Sequence, residues 1–204
     1  MEKHGGEMPS LNDLIRIGVY SQMEGTFFIY KKHNSREVKY TFSFYPYQIS
    51  DMDDLLKRVA GKSPLIKKDG RLVINSKQLY EVLTSLDFKS FHNYDWNMPL
   101  IDGWGIDGRK EYIRAVIDSL GDVDIKENIP SIQISSVNKI GLNMIYKSFG
   151  GNLNGPYSDR YFLVWRGEAA KMMLNYLDWK FYNNRNMRGA NLIRIVRWQD
   201  YILS

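Results

Sequence analysis

An internal repeat constrains this chain more than any single residue does. Two apolar helical patterns each run into a glycine and directly on into a strand pair, one at Gln22-Met23-Glu24-Gly25 and the other at Asp118-Ser119-Leu120-Gly121. Over 12–23, Leu14, Ile15, Ile17, Gly18 and Val19 recur at the spacing of one buried helix face, with Ser10 or Asn12 placed to cap it. The segments 26–30 and 38–47 are rich in β-branched and aromatic residues and flank Lys31-Lys32-His33-Asn34-Ser35-Arg36, the pattern of a β-hairpin with a basic tip. A helix over 50–61 follows, with Met52, Leu55, Leu56 and Val59 at helical spacing and Gly61 as its stop. A second hairpin, 64–67 and 72–74, turns at Lys68-Asp69-Gly70, and 76–86 reads as a closing helix.

In 90–108, Asn, Asp, Pro, Gly and aromatic residues follow no period and predict a connection packed on the surface. The same order then returns: a helix over 110–120, strands over 123–125 and 131–135, a helix over 138–149 ended by Gly150-Gly151, a strand pair within 157–166 and a helix over 168–177. Even the ends correspond, Leu83-Thr84-Ser85-Leu86-Asp87-Phe88 against Leu174-Asn175-Tyr176-Leu177-Asp178-Trp179. Seven elements repeated in one order imply a duplicated unit. The expected divisions are a first repeat at 10–89, a connecting segment at 90–108, a second repeat at 109–179 and a basic extension at 180–204. The fold class expected is α+β: two pseudo-symmetric αββαββα halves, each with a four-stranded antiparallel sheet. In the extension, Leu192, Ile193, Ile195, Val196 and Trp198 favour a final ordered element, while Arg185, Arg188, Arg194 and Arg197 either grip a phosphate backbone or cap the second repeat.

Composition narrows the chemistry. The chain has no cysteine, which removes disulfides and thiolate zinc sites, and His4, His33 and His92 lie too far apart for metal-ligand spacing, so any metal must be held by oxygen. No run of about 18 apolar residues is present and the first residues are polar, so neither a membrane span nor a secretory signal is expected. The expected location is intracellular, cytoplasmic or nucleoid-associated or organellar. A net charge of +5 favours a polyanionic partner.

The repeated order, with a helix that ends in an acidic residue plus glycine before a hairpin, resembles the LAGLIDADG homing endonuclease family in its single-chain, two-repeat form. Tyr112-Ile113-Arg114-Ala115-Val116-Ile117-Asp118-Ser119-Leu120-Gly121 is similar to the family's variant Phe-Leu-Arg-Gly-Phe-Phe-Asp-Ser-Asp-Gly motif, and Ile132-Gln133-Ile134-Ser135-Ser136-Val137-Asn138 resembles the strand-to-helix segment that follows it. In the first copy, Ile15-Arg16-Ile17-Gly18-Val19-Tyr20-Ser21-Gln22-Met23-Glu24-Gly25 is a looser match. The resemblance implies that the two motif helices pack side by side, with Gly18 and Ala115 allowing close approach, above a saddle that takes double-stranded DNA. It implies one carboxylate from each helix end holding Mg2+ or Mn2+ if the protein cuts, since hard cations need oxygen ligands and a two-metal site stabilises both the attacking and the leaving oxygen. Glu24 fits that role, as a catalytic residue and metal ligand.

Leu120 departs from the pattern, because an isobutyl group neither coordinates a metal nor accepts a proton. Asp118, two residues earlier and so about 200° around a helix, should point elsewhere. Asp122, just past the glycine, is the better substitute ligand, with a solvated strand start as its ordinary reading. For DNA, alternate side chains on a β-ribbon reach base edges in the major groove. The candidate contacts are Lys31, Lys32, His33, Arg36 and Lys39 in the first hairpin and Lys67, Lys68 and Arg71 in the second, with Lys126, Gln133, Asn152, Asn154 and Arg160 in the other repeat. Lysines at hairpin ends also guard against edge pairing. Tyr40, Phe42 and Phe44 alternate, so they share one face and should pack under helices. Three functions stay open: DNA binding with cleavage weakened or lost, an active metal-dependent endonuclease using Glu24 with Asp122 or Asp118, and a non-enzymatic regulator or maturase that binds intron RNA. A monomer is expected in each.

Overall fold

The computed structural model describes residues 9–23, 25–31, 38–44, 49–92, 94–126 and 129–177. Helix α1 (Leu11–Met23) leads into strands β1 (Thr26–Lys31) and β2 (Val38–Phe44), helix α2 (Ile49–Ala60), strands β3 (Leu65–Ile66) and β4 (Leu72–Asn75) and helix α3 (Lys77–Ser85). The second half runs α4 (Gly105–Leu120), β5 (Gly121–Lys126), β6 (Ile129–Ser136), α5 (Lys139–Phe149), β7 (Asn152–Tyr157), β8 (Arg160–Arg166) and α6 (Glu168–Tyr176). The sheets are antiparallel and share one topology, β1-β2-β4-β3 and β5-β6-β8-β7. The expected α+β architecture of two four-stranded halves is present. Each sheet buries its alternate side chains beneath helices: Phe42, Phe44, Leu72 and Ile74 in the first, Ile132, Ile134, Leu163 and Trp165 in the second. Tyr40 joins this inner face, its ring 5.0 Å from that of Tyr80, so the alternating aromatics are core rather than a stacking platform for bases.

The halves meet through α1 and α4, two helices that are fully buried at Ile15, Ile17, Val19, Ile113, Val116 and Ile117. Ala115 is buried too, but the space beside Gly18 is filled by the Phe88 ring: a Cβ there would lie 2.4 Å from it. Gly141 in α5 makes another such close approach, since a Cβ there would lie 2.4 Å from the buried Trp96 ring. Gly18→Ala and Gly141→Ala are each expected to destabilise the protein by up to about 2 kcal/mol in denaturant unfolding, since overpacking of about 1–3 kcal/mol is offset by the roughly 1 kcal/mol that alanine gains over glycine in a helix.

The connecting segment differs from its expectation. Instead of lying over the surface it supplies core: Phe91, Trp96, Met98 and Ile101 are buried, and the carbonyl of Trp96 accepts a 2.5 Å hydrogen bond from the Asn138 amide. Helix α4 also begins at Gly105, five residues before the predicted 110. Glycine and aspartate there gave the sequence the look of a loop. The bare Gly108 is required because a Cβ would lie 2.6 Å from Cβ of Trp104 and 3.3 Å from Ile15. No helix among the described residues is long and apolar enough to cross a membrane.

Candidate nucleic-acid interface

Strand pairing places one row of four residues across each sheet, starting just beyond each motif glycine. Thr26, Ser43, Val73 and Leu65 are successive partners in the first sheet, and Asp122, Gln133, Val164 and Asn152 are their counterparts in the second. Because side chains alternate along a strand, these rows lie on the sheet face opposite the helices. The open face of the first sheet also carries Phe28, Tyr30, Lys39, Thr41 and Asn75; Phe28 and Tyr30 are exposed, and the Thr41 hydroxyl donates to the Asn75 side chain at 2.5 Å. That of the second carries Asp124, Ser131 and Arg166 on one side of its row and Ser135, Phe162 and Asn154 on the other.

The proposed DNA contacts distribute unevenly over these faces. Lys39, opposite Tyr30, Gln133, Asn152 and Asn154 are on the open faces, and Arg160 pairs with Tyr157 at the exposed end of the β7–β8 hairpin. Lys31 is exposed at the end of β1 but has the alternation of the helix-covered side. Lys67 and Lys68 are exposed in the β3–β4 turn, and Arg71 is engaged there by Asp69 at 2.7 Å. That carboxyl is held below its ordinary pKa chiefly by the Arg71 backbone N–H. Lys126 ends β5. Lys32, His33, Arg36 and the 180–204 extension lie outside the described residues. Arg166 and the apolar Phe162 and Val164 were not singled out from the sequence. In 160–166 apolar residues occur at both parities, which hides which face is open.

At the helix ends the two glycines have a common physical reason. A Cβ on Gly121 would lie 2.4 Å from the Ile117 carbonyl oxygen, and one on Gly25 3.2 Å from that of Ser21, so in both copies the strand leaves pressed against the last helical turn. Glu24 lies outside the described residues. Its counterpart Leu120 is half-buried and packs against the core. Asp122 is exposed on the open face beside Gln133. Asp118 is 1% exposed within α4, in the field of Arg16. Burial opposes the charge of Arg16, but Glu111 first and then Tyr20 and Asp118 raise its pKa. Glu111, 2% exposed, accepts from Arg16 of α1 at 2.5 and 2.7 Å and from Arg114 of α4 at 2.8 Å. Arg114 also donates to the Leu177 carbonyl. This charged cluster, which ties the halves together, was invisible in sequence because its partners are 95 residues apart.

Among the described residues no three His, Asp or Glu side chains gather as a metal site. Leu120 offers no metal donor and Asp118 is enclosed, which leaves Asp122 as the exposed carboxylate beside this helix end among the described residues.

No protein-family model and no curated protein matches this sequence. Solved structures match most of it. The LAGLIDADG homing endonuclease I-GzeII in complex with its DNA target is 14% identical over 87% of each chain, with a TM-score of 0.55. The LAGLIDADG meganuclease I-AabMI bound to uncleaved DNA is 10% identical over 84% of this chain and 86% of its own, with a TM-score of 0.56. I-SmaMI, bound to an uncleaved DNA target in the presence of calcium ions, is 11% identical over 96% of this chain and 94% of its own, at 0.55. The fold is therefore that of the LAGLIDADG homing endonucleases in their single-chain, two-repeat form.

Proposed function

We propose that this protein is a site-specific double-stranded DNA-binding protein with the homing endonuclease fold, and that cleavage is weakened or lost at Leu120. The observation that carries the reading is the pair of matched open sheet faces, each starting at a helix end that in one copy bears an aliphatic side chain. The solved proteins of this fold named above are bound to DNA. Binding does not require the missing acid, because affinity comes from phosphate neutralisation and base contacts spread over a surface. In this reading Lys39, Gln133, Asn152, Asn154 and Arg160 face the duplex. Lys31, Lys67, Lys68, Arg71 and Lys126 serve phosphates at the strand ends and turns, Lys32, His33 and Arg36 are further phosphate contacts, and one chain supplies both halves of the surface as a monomer. Exposure of Asp122 at the start of the open row favours one second reading: residual nicking with Glu24 and Asp122, dependent on Mg2+ or Mn2+. Asp118, buried inside α4, is the weaker candidate for that part.

Supercoiled plasmid carrying a site selected from random duplexes, incubated with magnesium or manganese, tests both. Unchanged plasmid with a retained gel shift is the expected result. Open circle supports nicking, and Glu24→Gln should then abolish it without weakening the shift; linear product would mean a full endonuclease. Absence of any shift, or displacement of the duplex by intron RNA at lower concentration than by DNA, would overturn the proposal. Lys39→Gln should weaken duplex binding similarly at all sequences and lower the slope of log affinity against log salt by about one, as measured by titration at several salt concentrations.

A further inference from the structure

The second sheet carries a depression of about 550 Å³ on its open face. Its sides are the amides of Gln133, Asn152 and Asn154, its floor is Phe162 and Val164, and Arg166 and Tyr157 stand at its ends. Resting on the DNA-binding reading above, we propose that this depression reads adenine·thymine base pairs in the major groove and specifies a guanine beside Arg166.

The argument is one of chemical matching. Gln133 and Asn152 are exposed, and among the described residues their side-chain amides take part in no hydrogen bond. An amide offers one acceptor and one donor group side by side, which complements adenine N7 and N6 and no other base edge as well. Asn154 is already held, its amide donating to the Asn152 carbonyl at 3.2 Å, so it shapes the wall. Between the two free amides lies Val164, with Phe162 two residues along the strand. An apolar floor inside a polar wall gains nothing from phosphate or from guanine and cytosine edges, whereas the thymine methyl is the one apolar group the major groove presents. Gln133 and Asn152 flank Val164 in one row, two strand spacings or about 10 Å apart, which matches roughly three base-pair steps of about 3.4 Å. Arg166 is exposed and makes no ion pair or side-chain hydrogen bond among the described residues, which leaves its fork available for guanine O6 and N7. Phosphate contact is the poorer use of this area, because Asp122 is exposed on the same face and repels a polyanion.

The test is selection of sites by the full chain from a random duplex library, followed by binding to the selected site and its variants. One half-site should contain two or more A·T pairs within about three steps of each other, with a G·C pair next to them. Replacing thymine by uracil at those pairs removes only the methyl groups and should weaken binding several-fold, and Phe162→Ser should abolish that penalty. Gln133→Ala and Asn152→Ala should each flatten the preference for adenine at one position by about tenfold, and Arg166→Ala the preference for guanine. These side chains are exposed or half-buried, and unchanged circular dichroism confirms that the variants fold. A G·C-rich consensus in both halves, indifference to uracil, or variants that keep the parent preference would overturn the inference while leaving DNA binding intact. Failure to bind any duplex would instead overturn the functional reading on which it rests.

Discussion

Leu120→Asp is expected to give metal-dependent cutting of the selected site at least a hundredfold above the parent protein, read as linear or open-circular plasmid at increasing magnesium or manganese. In the register of the repeat Leu120 corresponds to Glu24, and the glycine that follows each is pressed against the preceding helical turn, so the substitution restores a carboxylate at the repeated position. A cation contributes several kcal/mol of charge stabilisation to phosphate-ester cleavage, and each 1.36 kcal/mol is about tenfold in rate. The substitution has a cost, since Leu120 is half-buried against the core and a carboxylate at a helix C-terminus is opposed by the helix dipole. Leu120→Asn separates the two effects: it should show a similar loss of stability and no gain in cutting. If Leu120→Asp folds, binds its site and leaves plasmid untouched at every metal concentration, the correspondence between Leu120 and Glu24 is wrong.

Glu111→Gln should be the most damaging single substitution outside the apolar core. Glu111 is nearly inaccessible and neutralises Arg16 from one half and Arg114 from the other, which are themselves largely buried, with side chains 16% and 14% exposed. Removing its charge takes away the carboxylate that Arg16 and Arg114 share across the helix interface. Breaking a buried ion pair in this way costs about 3–5 kcal/mol, equivalent to a fall in melting temperature of roughly 10 °C for a chain of this size. The matching triple replacement by apolar residues, Arg16→Met with Glu111→Leu and Arg114→Met, should cost less than Glu111→Gln alone, because the two guanidinium groups and the carboxylate between them are removed together and only Asp118 loses the field of Arg16. Thermal unfolding of the two variants decides the matter: a triple variant less stable than Glu111→Gln would show that the cluster contributes net stability rather than pairing that must not be broken.

Much of this architecture was legible because it is written in local pattern. Helix and strand periodicity together with stop glycines located the elements, and repetition of their order exposed the duplication. Alternation of Tyr40, Phe42 and Phe44 correctly assigned them to the covered face. The connecting segment was misjudged for the opposite reason. Phe91 and Trp96 follow no period, since they are anchored by different distant neighbours, Phe91 by the rings of Phe27, Phe42 and Tyr80 and Trp96 by Gly141 and Asn138. The early start of α4 was missed because Gly105 and Gly108 lower local helix propensity, and only packing of Trp104 and Ile15 around Gly108 overrides it.

The candidate interface divides along the same line. By itself the sequence determined the duplicated unit, the basic hairpins, and the substitution of leucine for a carboxylate in one of two matched helix ends, all of which depend on residue identity and short spacing. Tertiary structure alone decided that Asp118 is enclosed while Asp122 faces outward, that Glu111 joins two halves of the chain, and that Gln133, Val164 and Asn152 form one row with Arg166 beside it. Those relations depend on strand register and helix packing, where a shift of one residue turns every side chain to the other face, and neither is contained in the spacing of residues along a single strand or helix.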